Sequence, residues 1–109
     1  MTQYLFMMIG RPAAPGAEDT VTKDYNAKWM AWIGDLAARG ALRGGGPLEA
    51  AGKVVTRDEV TDLKLETLDV GAYLVVEAES MEAATAIAQS SPGTEIGATT
   101  IVRPCVPVG

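Results

Sequence analysis

The chain has 109 residues, 48% of them hydrophobic and 21% charged, with a formal net charge of −5, one cysteine and no histidine. That length fits one domain over residues 1–109, and the composition is that of a folded chain, not a disordered one. The nine Lys and Arg are scattered, which argues against nucleic acid or an anionic membrane surface as a partner, and the missing imidazole removes Ser–His–Asp and Cys–His catalysis and His-ligated zinc or iron.

Residues 4–9 (YLFMMI) read as a strand stopped by Gly10, Pro12 and Pro15. Tyr4, Phe6 and Met8 point one way and Leu5, Met7 and Ile9 the other, so both faces are apolar. The run is too short for a membrane span and has no basic start, as a secretory signal would. Residues 11–19 form a loop in which Asp19 or Thr20 caps the next helix. To residue 39 the pattern is helical: Val21, Tyr25, Trp29, Trp32 and Leu36 make one stripe, widened by Ile33, and Gly40 closes the C-terminus. Residues 41–46 and 53–57 are short strands around a Gly/Pro-rich bend. The glycines 44–46 read as a turn or bulge, because no Gly-Lys-Ser/Thr follows to make a phosphate loop. Residues 60–69 alternate weakly, as a strand or an extended loop. Residues 72–78 form a strand with Ala72, Leu74 and Val76 on one face against Tyr73 and Val75. Ser80 caps a helix over residues 81–89, ended by Pro92 and Gly93. Residues 99–103 are the last strand, and Pro104 and Pro107 block its extension.

The order is strand, helix, strand, a variable middle, strand, helix, strand. Two such βαβ halves make a ferredoxin-like α+β fold: an antiparallel sheet with two helices on one face. Two helices cannot cover both apolar faces of the first and third main strands. A patch of that size marks an interface or a ligand site, and the simplest cover is a second copy packed sheet to sheet in a two-fold homodimer.

Residues 29–48, WMAWIGDLAARGALRGGGPL, carry an aromatic-bearing helix followed by Gly-x-Leu-x-Gly-Gly-x-x-Leu at Gly40, Leu42, Gly44, Gly45 and Leu48. In this the chain resembles the YCII-related and DGPF-type proteins. YLFMMIG is similar to that family's first strand, VGAYLVVEAESMEAATAIAQSSP to its third strand and second helix, and TIVRPC to its last strand. The resemblance implies a dimeric α+β barrel and, from the company such proteins keep with sigma factors, a transcription-linked role. Two features depart from the family. Leu63-Lys64-Leu65 stand where the Gly-Pro-Phe of the DGPF motif would follow Asp62, leaving Asp62, Glu66 and Thr67 as its trace. Trp29 and Ser91 occupy the places of the His and Asp proposed as the catalytic pair of YCII proteins, so activity resting on that pair is not implied here.

The ligand-binding candidates are Trp29, Arg43, Asp62, Tyr73 and Arg103. Trp29 falls where the family's pocket residue would be, or fills the core. Arg43 and Arg103 sit on strands, where each either faces solvent at an edge or holds a ligand carboxylate. Tyr73 donates its hydroxyl to a ligand or packs between sheets. Asp58, Glu59, Asp62, Glu66 and Asp69 read as a solvated run, with Asp62 the exception because it matches the family motif. Cys105 has no partner to activate it or to share a metal, and its lack of a disulfide partner fits the cytoplasm. No cofactor or transition metal is expected, since only oxygen ligands remain. Three readings stand: a ligand-binding or regulatory module, a cofactor-independent enzyme on a small organic molecule, and a structural dimer without a ligand.

Overall fold

The structure, a computed structural model, describes residues 1–10, 20–49, 51–64 and 69–108. The expected loop over 11–19, the capping of the first helix by Asp19 or Thr20, the side chain of Val21 and the Glu66–Thr67 remnant lie outside what is described. Strand β1 is Thr2–Gly10, helix α1 Thr20–Ala38, β2 Leu42–Pro47, β3 Lys53–Val55, β4 Val60–Asp62, β5 Asp69–Ala78, α2 Met81–Gln89, α3 Pro92–Glu95 and β6 Thr99–Pro104. Strands β2, β5, β1 and β6 pair in that order into a sheet that is antiparallel throughout, and β3 and β4 form a separate two-stranded ribbon. The four-stranded order is the split βαβ arrangement, so the fold is α+β and ferredoxin-like.

One face of the sheet meets the helices. Tyr4, Phe6 and Met8 of β1 and Leu74, Val76 and Ala78 of β5 are buried there with Ala84 and Ala88 of α2. The register explains the grouping: Phe6 stands opposite Leu74 and Tyr4 opposite Val76, and partners across an antiparallel pair share a face. Leu36 of α1 is also buried, and Trp29, Trp32 and Ile33 pack on the core from the same stripe. The small residues of α2 let that helix lie close to the sheet.

Local chemistry sets the element ends. Ser80 accepts from the Ala83 amide at 3.1 Å, as an N-cap does. Gly40 adopts φ +73° and its N–H bonds back to Ala37, while Ala41 N–H reaches Leu36, closing α1 with a left-handed residue. Pro92 and Gly93 do more than stop a helix. α2 already ends at Ser90, and Pro92 begins the short α3, where the missing proline N–H costs nothing. β5 starts at Asp69, earlier than residue 72, because Gly71 is absorbed as a bulge where the register slips between Met8 and Ile9. β3 stops at Val55, since Thr56 and Glu59 close the turn to β4 through three Thr56–Glu59 hydrogen bonds.

Candidate functional site: the open face of the sheet

Alternation along the strands sends Leu5, Met7 and Ile9 of β1, Val70, Tyr73 and Val75 of β5 and Ile101 of β6 to the face away from the helices. Leu5 stands opposite Val75 and Arg103, and Met7 opposite Tyr73 and Ile101. These side chains are half-buried at most, and Tyr73 and Ile101 are each 40% exposed. The result is an apolar field four strands wide facing outward.

Two features make the field more than a greasy patch. Along its β2 side the open face is glycine. Gly44 stands opposite Val75 and Gly46 opposite Tyr73, and a side chain added at either would meet nothing within 4 Å. The surface beside Tyr73 is therefore a trough with a backbone floor. The end of the field is polar. Arg43 donates to the Glu77 carboxylate at 2.7 Å, and Arg103 lies across β1 from there, opposite Leu5, with no ion pair among the described residues.

The hydrogen bond from Arg43 holds the Glu77 carboxyl below its ordinary range against partial desolvation, with the charge of Arg43 and a bond from Gln3 adding to it. The same contact raises Arg43. Glu77 is thus a carboxylate at neutral pH, suited to orienting Arg43 and not to donating a proton. A depressed carboxyl contributes stability that is present above the unfolded value of about 4.3 and is lost as pH falls through the lower folded value. Urea melts of wild type and Glu77→Gln are expected to differ by a constant amount from pH 6 to 8 and to converge below about pH 4. A gap that stays constant down to pH 3 would contradict the assignment.

The sequence-derived candidates separate in space. Arg43, Tyr73 and Arg103 share the open face, with Arg43 and Arg103 on its two opposite edge strands. Trp29 lies on the opposite side of the sheet, where Tyr25, Trp29 and Trp32 form an edge-to-face ladder with ring centroids 6.0 and 5.3 Å apart. Trp32 Nε1 donates to Ser90 Oγ at 2.9 Å. Gly93 packs beside the ladder: a β-carbon there would stand in ordinary contact with the Tyr25 hydroxyl at 3.4 Å and the Trp29 ring at 3.5 Å. Ser91, in the place of the family Asp, is 1% exposed and its hydroxyl has no hydrogen-bond partner among the described residues. Asp62 is elsewhere again, paired with Lys53 on the β3–β4 ribbon. Trp29 and Tyr73 cannot wall one cavity within a single chain. Open hollows of about 420 and 410 Å³ lie at Lys53, Asp62 and Leu63 and at Arg39, Arg43, Glu77 and Ile87, and neither includes Trp29 or Tyr73.

Sequence reasoning missed Glu77 and Gln3. Glu77 was discoverable: it continues the Tyr73–Val75 face at spacing two, and a carboxylate inside an apolar strand needs a partner. Among the described residues, no three His, Cys, Asp or Glu converge as metal ligands, and no helix is long and apolar enough to cross a membrane.

With this geometry in place, the solved structures supply a comparison. The chain is similar to 5-chloro-2-hydroxyhydroquinone dehydrochlorinase from Burkholderia phenoliruptrix, solved in complex with 2,5-dihydroxybenzoquinone. The two are 26% identical, the match covers 93% of this chain and 90% of the other, and the TM-score is 0.56. No family model and no curated protein matches the chain.

Proposed function

We propose that this chain is a small-molecule-binding module that acts as a two-fold homodimer through the open face of its sheet, with a small hydroxyaromatic or quinone-like compound as its ligand. The observation that carries the reading is the open face itself: an apolar field with a glycine-floored trough beside Tyr73 and a guanidinium at its end. A flat ring would lie over Gly44 and Gly46 with Tyr73 against its edge or face. An acidic ring oxygen would meet Arg103, which has no competing carboxylate among the described residues, more readily than Arg43, which is held by Glu77. A second copy laid on the same face would exclude water from the ring and strengthen that charge contact. The similarity to an enzyme named for a chlorinated hydroxyhydroquinone and solved with a dihydroxybenzoquinone supports the ligand class.

Titration with 2,5-dihydroxybenzoquinone followed by calorimetry is expected to give saturable, submillimolar binding, as suits a compound of about ten heavy atoms. Arg103→Ala is expected to weaken it about tenfold, the cost of one charge-assisted hydrogen bond. No saturation up to millimolar ligand, or equal affinity in Arg103→Ala, would contradict the reading. A second reading, a cofactor-independent enzyme, rests on the activity named for the similar protein. Chloride release from 5-chloro-2-hydroxyhydroquinone above the protein-free rate would favour it. Binding without turnover fits a chain that has no imidazole and whose Glu77 is held ionised.

A further inference from the structure

Residues 51–64, which carry β3 and β4, are exposed without exception. Among the described residues the two strands pack on each other and on no other element to a comparable extent. They follow β2 in the chain, past the Leu48 N–H to Gly71 carbonyl bond, and form a sheet of their own, so the ribbon is an arm separate from the four-stranded sheet. Both of its faces are apolar in part. Val55 and Val60 stand opposite each other at 69% and 65% exposure, and Val54 and Leu63 point the other way at 45% and 37%. The arm is nonetheless ordered at both ends. The Lys53–Asp62 ion pair and the Leu63 N–H to Gly52 carbonyl bond close its base, and the Thr56–Glu59 bonds close its tip. A two-stranded ribbon with no third strand or helix against it among the described residues is marginal in water, and the paired exposed valines next to its turn deepen the problem.

We propose that the arm is a clasp that packs Val55 and Val60 onto a second copy of this chain, each copy gripping the other. The inference rests on the dimer reading above and names a part of that interface which the sheet does not supply. Area is the first argument. Four strands spaced about 4.8 Å apart and six to ten residues long present a footprint of roughly 500 Å². A stable specific interface buries about 800 Å² per partner. The open sheet face alone falls short, and a reciprocal pair of arms adds contact twice under two-fold symmetry.

Charge is the second argument for self-association. The chain as a whole is −5, but residues 51–64 carry Lys53, Arg57 and Lys64 against Asp58, Glu59 and Asp62 and are neutral. All the net negative charge lies elsewhere in the chain, so this arm approaches an acidic copy without net repulsion. A basic arm would suit nucleic acid and a strongly acidic one would repel its own kind; this one has the charge of neither.

The test is the double variant Val55→Ser, Val60→Ser, compared with wild type by sedimentation velocity over a dilution series, with amide exchange read on residues 53–62. The expected results are a dimer dissociation constant raised at least about tenfold, an unchanged four-stranded core by circular dichroism, and arm amides in wild type that are protected at high concentration and lose protection on dilution. If wild type is monomeric throughout, the dimer reading itself fails. If wild type is a dimer but the double variant dimerises equally well, or the arm amides exchange at the same rate at both concentrations, the clasp alone is overturned. An arm that becomes protected only on addition of a different protein also overturns it.

Discussion

Val75→Asp is expected to leave a folded monomer. Val75 sits at the centre of β5 on the open face, opposite Leu5 on one side and Gly44 on the other, and in one chain alone it is half-buried. The isolated chain therefore accepts a carboxylate there with its charge in water, and its far-UV spectrum and melting temperature should change little. In the proposed dimer the two-fold axis places both aspartates inside the interface. An unpaired buried ion costs several kcal/mol, and two of them close together also repel. Each 1.4 kcal/mol is tenfold in affinity, so the dissociation constant should rise at least about 1,000-fold. Sedimentation at micromolar concentration would show wild type at twice the 11.4 kDa chain mass and the variant at the single mass. Unchanged sedimentation of the variant would mean that the open face is not the interface.

Gly45→Ala should be the most damaging single methyl in the molecule. Gly45 adopts φ +120°, which L side chains rarely tolerate, and its β-carbon would fall on the carbonyl oxygen of Tyr73 and 2.7 Å from the Leu74 α-carbon. Both are backbone atoms of β5, so no rotamer change relieves the contact. β2 would have to move off β5 or unwind. The expected loss is at least about 3 kcal/mol, made up of backbone strain and broken pairing, from a total stability of about 5–15 kcal/mol. That corresponds to a fall in melting temperature of more than about 10 °C for a domain of this size. Gly44→Ala and Gly46→Ala add a methyl to open space and should stay within about 1 kcal/mol of wild type. Thermal melts of the three variants decide the matter. Three equal melting temperatures would refute the close approach of β2 to β5.

The contrast among these glycines shows how much of the molecule is legible in its sequence. Composition and spacing mark the Gly44–Gly46 run as a turn or bulge; the register slips just before it, between Leu42 and Gly44, and the glycines themselves pair in regular register with β5. Composition and spacing cannot say which glycine faces the core, because that depends on where the bulge falls against β5. The strands YLFMMI and the core of β5 are legible because both alternate apolar residues without interruption, and the α1 stripe because Trp29, Trp32 and Leu36 keep the helical period. Ser80 and Gly40 announce helix ends through chemistry that acts within a few residues. Pro92 misleads for the same local reason: it reads as a stop, yet it opens a new helical turn.

The site is less legible than the fold. Residue type alone draws attention to Arg43, Tyr73 and Arg103, but also to Trp29 and Asp62. Only strand register separates the first three, on the open face, from Trp29 beneath the sheet and Asp62 out on the arm. The Arg43–Glu77 pair joins residues 34 positions apart, a contact that no local pattern contains.

Methionine oxidation tests most directly whether a second copy covers the open face, because the chain carries its own controls. Met30 is 71% exposed and Met81 37% exposed, while Met8 is buried at 7%. Met7, next in sequence to Met8, is half-exposed on the open face of a single chain. Purified protein at micromolar concentration would be treated with dilute hydrogen peroxide, and sulfoxide at each methionine followed by mass spectrometry. If the face is covered, Met7 oxidises as slowly as Met8, and joins Met81 and Met30 only in Val75→Asp. If Met7 in the wild-type protein oxidises at the rate of Met81 or Met30, the open face is bare in solution and the account is wrong.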